Sequence, residues 1–251
     1  MPDVLRVFDA HLHIIDPRFR LQANNGYVPP PFTVEDYRTR VAGLGIAGGA
    51  VVSGSFQGFD QSYLCAALSA LGPGFVGVTQ IPAETGDDEI RRLDAAGVRA
   101  VRFNLHRGGS AAIGDLDRLA RRVHDLVGWH AELYVDSREL AALQPTISML
   151  PAVSIDHLGL SRDGFGDLLR LVEAGVYVKA TGFGRVDLDP AEAMARILEI
   201  SPHALMFGTD LPSTRAPRPF ADADLTSLGE LIDPCHLENV VWRNAIELYR
   251  I

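Results

Sequence analysis

With 251 residues, 47% apolar and 22% charged, the chain can bury one large core and still be solvated. Its formal net charge is −9 and its only lysine is Lys179. An acidic chain without a basic stripe argues against a nucleic-acid partner but leaves open a small anionic substrate, which arginine binds bidentately.

Short apolar runs rich in β-formers alternate along the chain with amphipathic stretches. The expected strands are Val4–Asp9, Gly49–Ser53, Phe75–Gln80, Val98–Asn104, Ala131–Asp136, Ala152–Asp156, Val176–Thr181 and Ala204–Gly208. Between them the expected helices are Val34–Leu44, Gln61–Leu71, Asp87–Ala96, Asp115–Val127, Arg138–Met149, Phe165–Ala174, Ala191–Ile200 and Asp224–Ile232. Gly97 and Gly175 fall where a helix should stop before the next strand. Eight strand–helix units in a chain of this length fit an α/β fold of the (β/α)8, or TIM-barrel, type better than an open doubly wound sheet. A last helix is expected over Leu237–Ile251, with Trp242, Ile246 and Tyr249 facing inward. The Pro-rich segment Gly26–Phe32 follows the first strand and is expected as an ordered loop over the barrel mouth. No linker, repeat or low-complexity tract is visible, so residues 1–251 read as a single domain.

The two cysteines, Cys65 and Cys235, make no disulfide framework. The start MPDVLRVFDAH has neither a basic nor a long apolar region, and no apolar run is long enough to cross a bilayer. A cytoplasmic location without a membrane partner is the resulting expectation; a homo-oligomer is compatible with it.

Three segments carry candidate chemistry. Asp9-Ala10-His11-Leu12-His13 ends the first strand, and strand residues two apart share a face, so His11 and His13 can converge on one ion or one substrate oxygen. Ile155-Asp156-His157-Leu158-Gly159 brings a third imidazole to the end of the sixth strand, with Asp156 placed to orient a neighbour. Phe207-Gly208-Thr209-Asp210-Leu211-Pro212 ends the eighth strand, which a closed barrel sets beside the first. Asp210 is there suited to act as a general base or a metal ligand. Taken alone, His157 reads more readily as a buried structural histidine, and the bland alternatives for the other two segments are histidines filling polar space and a loop aspartate before the proline; their joint position at strand ends is what points to a site.

Together these motifs resemble the amidohydrolase superfamily, and most of all its lactonase group, which includes 2-pyrone-4,6-dicarboxylate lactonase and the sugar lactonases. Tyr27-Val28-Pro29, Gly58-Phe59-Asp60, Val101-Arg102-Phe103-Asn104 and Lys179-Ala180-Thr181-Gly182 with Arg185 are similar to further motifs of that group. The chain departs from the pattern at Ser53-Gly54-Ser55, Leu160 and Leu211-Pro212-Ser213, which change the pocket lining. The fifth strand ends in Leu133-Tyr134-Val135-Asp136, without the histidine that many metal-dependent relatives carry. With no lysine near the fourth strand, a carbamate-bridged pair of metals is excluded.

The resemblance implies hydrolysis of a small lactone, carboxylated or not, with Asp210, His11, His13 and His157 as the catalytic set. The same four residues would hold zero or one divalent ion, zinc being favoured. Tyr27, Ser55, Arg102, Arg107 and Arg185 are the implied substrate contacts. The rival readings are a metal-dependent non-oxidative decarboxylase of the same superfamily and a barrel that binds a ligand without turning it over. A general base has no use in the latter.

Overall fold

The computed structural model describes residues 6–251. Its strands are β1 (Val7–Leu12), β2 (Ile46–Val52), β3 (Phe75–Thr79), β4 (Val98–Asn104), β5 (His130–Tyr134), β6 (Val153–Ile155), β7 (Tyr177–Ala180) and β8 (Leu205–Phe207). Each pairs in parallel with the next, giving one eight-stranded sheet in sequence order. Around it lie α1 (Val34–Arg40), α2 (Ser62–Leu71), α3 (Asp87–Ala95), α4 (Leu116–Val127), α5 (Leu140–Ile147), α6 (Phe165–Glu173) and α7 (Pro190–Ile200). After β8 come α8 (Asp222–Thr226), α9 (Leu228–Leu231), α10 (Pro234–Glu238) and α11 (Asn244–Tyr249). This is the expected (β/α)8 barrel. No helix among the described residues is long and apolar enough to cross a membrane.

The differences from the sequence reading have physical causes. Part of the expected first strand, Val4 and Leu5, lies outside the described residues. The rest runs three residues further than Asp9, to Leu12, because Asp9 is buried rather than marking a strand end. Its carboxylate accepts from the Thr209 amide and hydroxyl, each at 2.7 Å, and from the Tyr37 hydroxyl at 3.0 Å. The second strand begins early, at Ile46, and takes in Gly48 and Gly49. A Cβ at Gly48 would lie 2.3 Å from the Gly74 carbonyl oxygen, so only glycine fits there. The first helix stops at Arg40 rather than Leu44, before Gly43 and Gly45, both at positive φ. The tail helix starts at Pro234, capped by Asp233, and passes through a π-turn at Asn239–Arg243. Trp242, Ile246 and Tyr249 pack inward as expected.

The barrel interior is apolar at its lower end. Phe8, Ala10, Ala50, Val52, Val76, Val78, Ala100 and Met206 meet there, and α11 plugs the end with Ala245, Leu248 and Tyr249. In β1 the side-chain alternation breaks. Asp9 pairs with Gly49 and Leu12 with Val51, so β1 carries one extra residue opposite β2. Asp9 reaches outward to Tyr37 of α1, whereas His11, two residues on, reaches inward toward Lys179. The bulge is what turns His11 and His13 into the barrel.

No sheet ladder joins β8 to β1. The end of β1 and the residues just past both strands close the seam: the Asp210 amide donates to the His11 carbonyl and the His13 amide to the Leu211 carbonyl, both at 2.7 Å. Asp9, holding Thr209, clasps the same seam.

Candidate active site

The seam brings the three histidines and the aspartate together at the C-terminal ends of the strands. Asp210 Oδ1 lies 3.9 Å from His11 Nε2, 3.8 Å from His13 Nε2 and 4.0 Å from His157 Nε2. The backbone bends sharply to deliver them. His157 (φ 50°) opens a left-handed stretch with Leu158, Gly159 and Leu160, and Asp210 (φ 59°) is also left-handed. Non-glycine residues are uncommon in this region, and they concentrate at functional sites.

The other ring nitrogens show which atoms carry protons. His13 Nδ1 lies 2.7 Å from the Val52 carbonyl oxygen, which can only accept, so this nitrogen donates and Nε2 keeps its lone pair. His11 Nδ1 lies 3.3 Å from Asp156 Oδ1, which favours the same tautomer. His157 Nδ1 meets the Thr181 hydroxyl at 2.7 Å. Burial pushes the His11 imidazole down to about 3 and holds those of His13 and His157 well below the usual histidine range, so all three are neutral. Burial pushes the Asp210 carboxyl up, against the pull of Arg185. Arg185 Nε donates to Asp210 Oδ2 at 2.9 Å and its Nη2 also donates to Oδ2. Asp210 Oδ1 is left without a hydrogen-bond partner among the described residues, as is His11 Nε2.

Below this set lies a buried charged layer. Arg102 donates to Asp156 Oδ2 at 2.8 Å and to the Ser53 carbonyl at 2.6 Å. Lys179 donates to Glu132 Oε2 and stands 3.6 Å from Asp156 Oδ1. Tyr249 reaches Glu132 Oε2 at 3.3 Å from below. Burial would raise the Asp156 carboxyl, but His11, Arg102 and Lys179 hold it well below the usual range. Burial and Asp156 push Glu132 up to about 7. Asp156 Oδ1 thus faces Nδ1 of His11, a neighbour of the kind it was expected to orient.

One cavity is lined by His13, His157 and Asp210 and by all five implied substrate contacts: Tyr27, Ser55, Arg102, Arg107 and Arg185. Tyr27 comes from the Pro-rich segment, whose far end is tied down where Phe32 and Ile15 exchange backbone hydrogen bonds of 2.9 and 2.7 Å. Sequence reasoning missed Tyr134 and Arg215, which also line the cavity, and the layer residue Glu132. A charged residue between Ala131 and Leu133 was a readable sign of an inward polar position. An arginine five residues past Asp210 lay in the right loop to be considered.

The donor set suits a single divalent ion. His11, His157 and Asp210 each offer an atom within 4.8 Å of the others, and the two orphaned atoms His11 Nε2 and Asp210 Oδ1 belong to that set. His13 stands just outside it. A second group, His11 with Glu132 and Asp156, has one oxygen of each carboxylate bonded, by Lys179 and Arg102, so two cations already stand against it.

Residues 8–251 match the amidohydrolase family model. The chain belongs to the amidohydrolase family. It is therefore an enzyme, a hydrolase of the amidohydrolase type. This amidohydrolase is 25% identical over 232 residues to 2-pyrone-4,6-dicarboxylate hydrolase of Comamonas testosteroni, covering 81% of this chain and 76% of the relative. It is 29% identical over 231 residues to 4-sulfomuconolactone hydrolase of Rhizobium radiobacter, covering 82% and 75%. Its fold is shared with a probable 2-pyrone-4,6-dicarboxylic acid hydrolase from Acinetobacter baumannii, solved with citric acid bound. The TM-score is 0.87 at 22% identity, covering 98% of this chain and 100% of that one.

Proposed function

We propose that this amidohydrolase opens a small lactone by attack of water on the ring carbonyl, with Asp210 as general base. The observation that carries the reading is Asp210 Oδ1, buried, without a donor and faced by three imidazole Nε2 atoms in an arginine-lined cavity. Relatives named as a dicarboxylate hydrolase and a lactone hydrolase support it.

Asp210 Oδ2 is engaged by Arg185, so the water's proton goes to Oδ1. The raised affinity of this carboxyl for a proton suits that task. As the water oxygen bonds to the carbonyl carbon and the ring C–O bond breaks, the proton passes from Oδ1 to the departing ring oxygen. The product is a hydroxy acid. The neutral His11 and His13 offer lone pairs rather than N–H groups at Nε2, a pattern that suits a cation. One divalent ion, zinc by donor type, would be held by His11, His157 and Asp210 with His13 beside them, and would supply Lewis-acid polarisation of the carbonyl. Tyr27, Ser55 and Arg107 line the space where the rest of the ring would lie, and a substrate carboxylate would meet guanidinium there.

The test is a panel of carboxylated and neutral lactones, assayed before and after chelation, with metal counted per chain. Ring opening is expected, with at most one divalent equivalent. A panel with no turnover, or two metals per chain, would overturn the reading.

A further inference from the structure

Four guanidinium groups line the cavity, and they are not equivalent. Arg102 is bonded to Asp156 and Arg185 to Asp210, so both already have carboxylates of the protein's own. Among the described residues, neither Arg107 nor Arg215 has a carboxylate within ion-pair distance, although the chain as a whole is acidic.

Arg215 is nevertheless held firmly. Its Nη1 donates to Asn24 Oδ1 at 2.9 Å and its Nη2 to the Asn24 carbonyl. Its guanidinium lies over the Tyr27 ring, 4.3 Å from the centroid. Asn24 Nδ2 in turn donates to the Arg107 carbonyl at 3.1 Å, which ties together the loops after β1, β4 and β8. Burial and the nearby Arg107 charge both lower the proton affinity of Arg215, so the two cations repel one another across the rim. A preorganised guanidinium with uncompensated charge, facing a cavity beside a second one, is matched by an oxyanion.

We infer that Arg215, aimed by Asn24 and Tyr27, acts with Arg107 as a clamp for a substrate carboxylate that lies away from the carbonyl under attack. Recognition of the acid group then falls on the outer pair, while Arg185 serves chiefly to hold Asp210. Arg215 is on this view a specificity-determining residue. The inference rests on the lactone-hydrolase reading only for the reacting end of the substrate.

The experiment uses citrate, a polycarboxylate that cannot be turned over, titrated calorimetrically into the wild type and into Arg215→Met, Arg215→Lys and Asn24→Ala. Circular dichroism checks that each variant is folded. Arg215→Met should weaken citrate binding by about tenfold to a hundredfold, as expected for losing a charge-assisted contact. Arg215→Lys should recover part of that, and Asn24→Ala should lose less. In parallel, a carboxylated lactone and its methyl ester are assayed. Arg215→Met should raise KM for the acid with little change in kcat and leave the ester unaffected. Unchanged citrate affinity in Arg215→Met, no citrate binding by the wild type, or equal losses on acid and ester would each overturn the clamp. If the wild type opens no lactone while its citrate binding still depends on Arg215, the reaction assignment fails and the clamp stands.

Discussion

Two polar layers lie one above the other inside this barrel, and they are built on opposite principles. In the lower one, two cations, Arg102 and Lys179, face two carboxylates, Asp156 and Glu132, so the charges are internally balanced. In the upper one, His11 and His13 Nε2 offer lone pairs toward a carboxylate oxygen with no donor in reach. The lower layer pairs each of its carboxylates with a cation of the protein's own; in the upper one Asp210 Oδ1 gains a partner only when something positive or proton-bearing enters it. His11 joins them, with Nδ1 toward Asp156 and Nε2 toward Asp210. On the proposed function the lower layer chiefly holds the barrel and the upper one meets the substrate, with Arg102 also lining the cavity.

Three measurements test that separation. The largest effect belongs to the upper layer. Asp210→Asn removes the basic oxygen while keeping a residue that tolerates the left-handed backbone found there. A loss of about a hundredfold to ten-thousandfold in kcat is expected, with much less change in substrate binding, read from steady-state kinetics. Turnover near the wild-type level would show that the base lies elsewhere.

The second measurement addresses the lower layer. Lys179→Met leaves Glu132 and Asp156 buried beside each other without the ammonium, which should cost about 3–5 kcal/mol in urea unfolding. Adding Glu132→Gln should recover a measurable part, because the unpaired charge goes with it. A single variant as stable as the wild type would mean that the layer is not the balanced unit described above.

The smallest effect concerns His130, fully buried at the bottom of the barrel against Tyr249. Burial, with Lys179 and Arg250 adding to it, holds its imidazole well below the usual 6.5. The unfolded chain therefore takes up the proton first. The contribution of His130 to stability is full above about pH 6.5 and falls by about 1.4 kcal/mol per pH unit below it. His130→Phe should flatten the pH dependence of the unfolding free energy between pH 6.5 and 5 by that slope. An unchanged slope would mean that His130 is protonated in the fold.

The barrel was legible because strand–helix alternation is a local pattern, and every expected strand has its counterpart in the sheet. The His/Asp set was legible because strand-end positions in such a fold point to one mouth. What could not be read were features fixed by partners distant in sequence. Asp9 looked like a strand end because a lone carboxylate is costly to bury; its donors, Tyr37 and Thr209, are 28 and 200 residues away. The bulge that turns His11 inward exists only relative to β2. Whether Arg102 and Arg185 are free or already paired depends on Asp156 and Asp210 arriving from other strands, and the same blindness hid Arg215 and Glu132.

The left-handed backbone at His157, Leu158, Leu160 and Asp210 has one further consequence. An L-residue in that region gives up roughly 1–2 kcal/mol relative to glycine. Glycine at 157 or 210 would relax the chain and delete the imidazole or the carboxylate with it. Heat tolerance and turnover therefore pull against each other at this rim, and variants selected only for resistance to heating are expected to drift toward relaxed, inactive mouths.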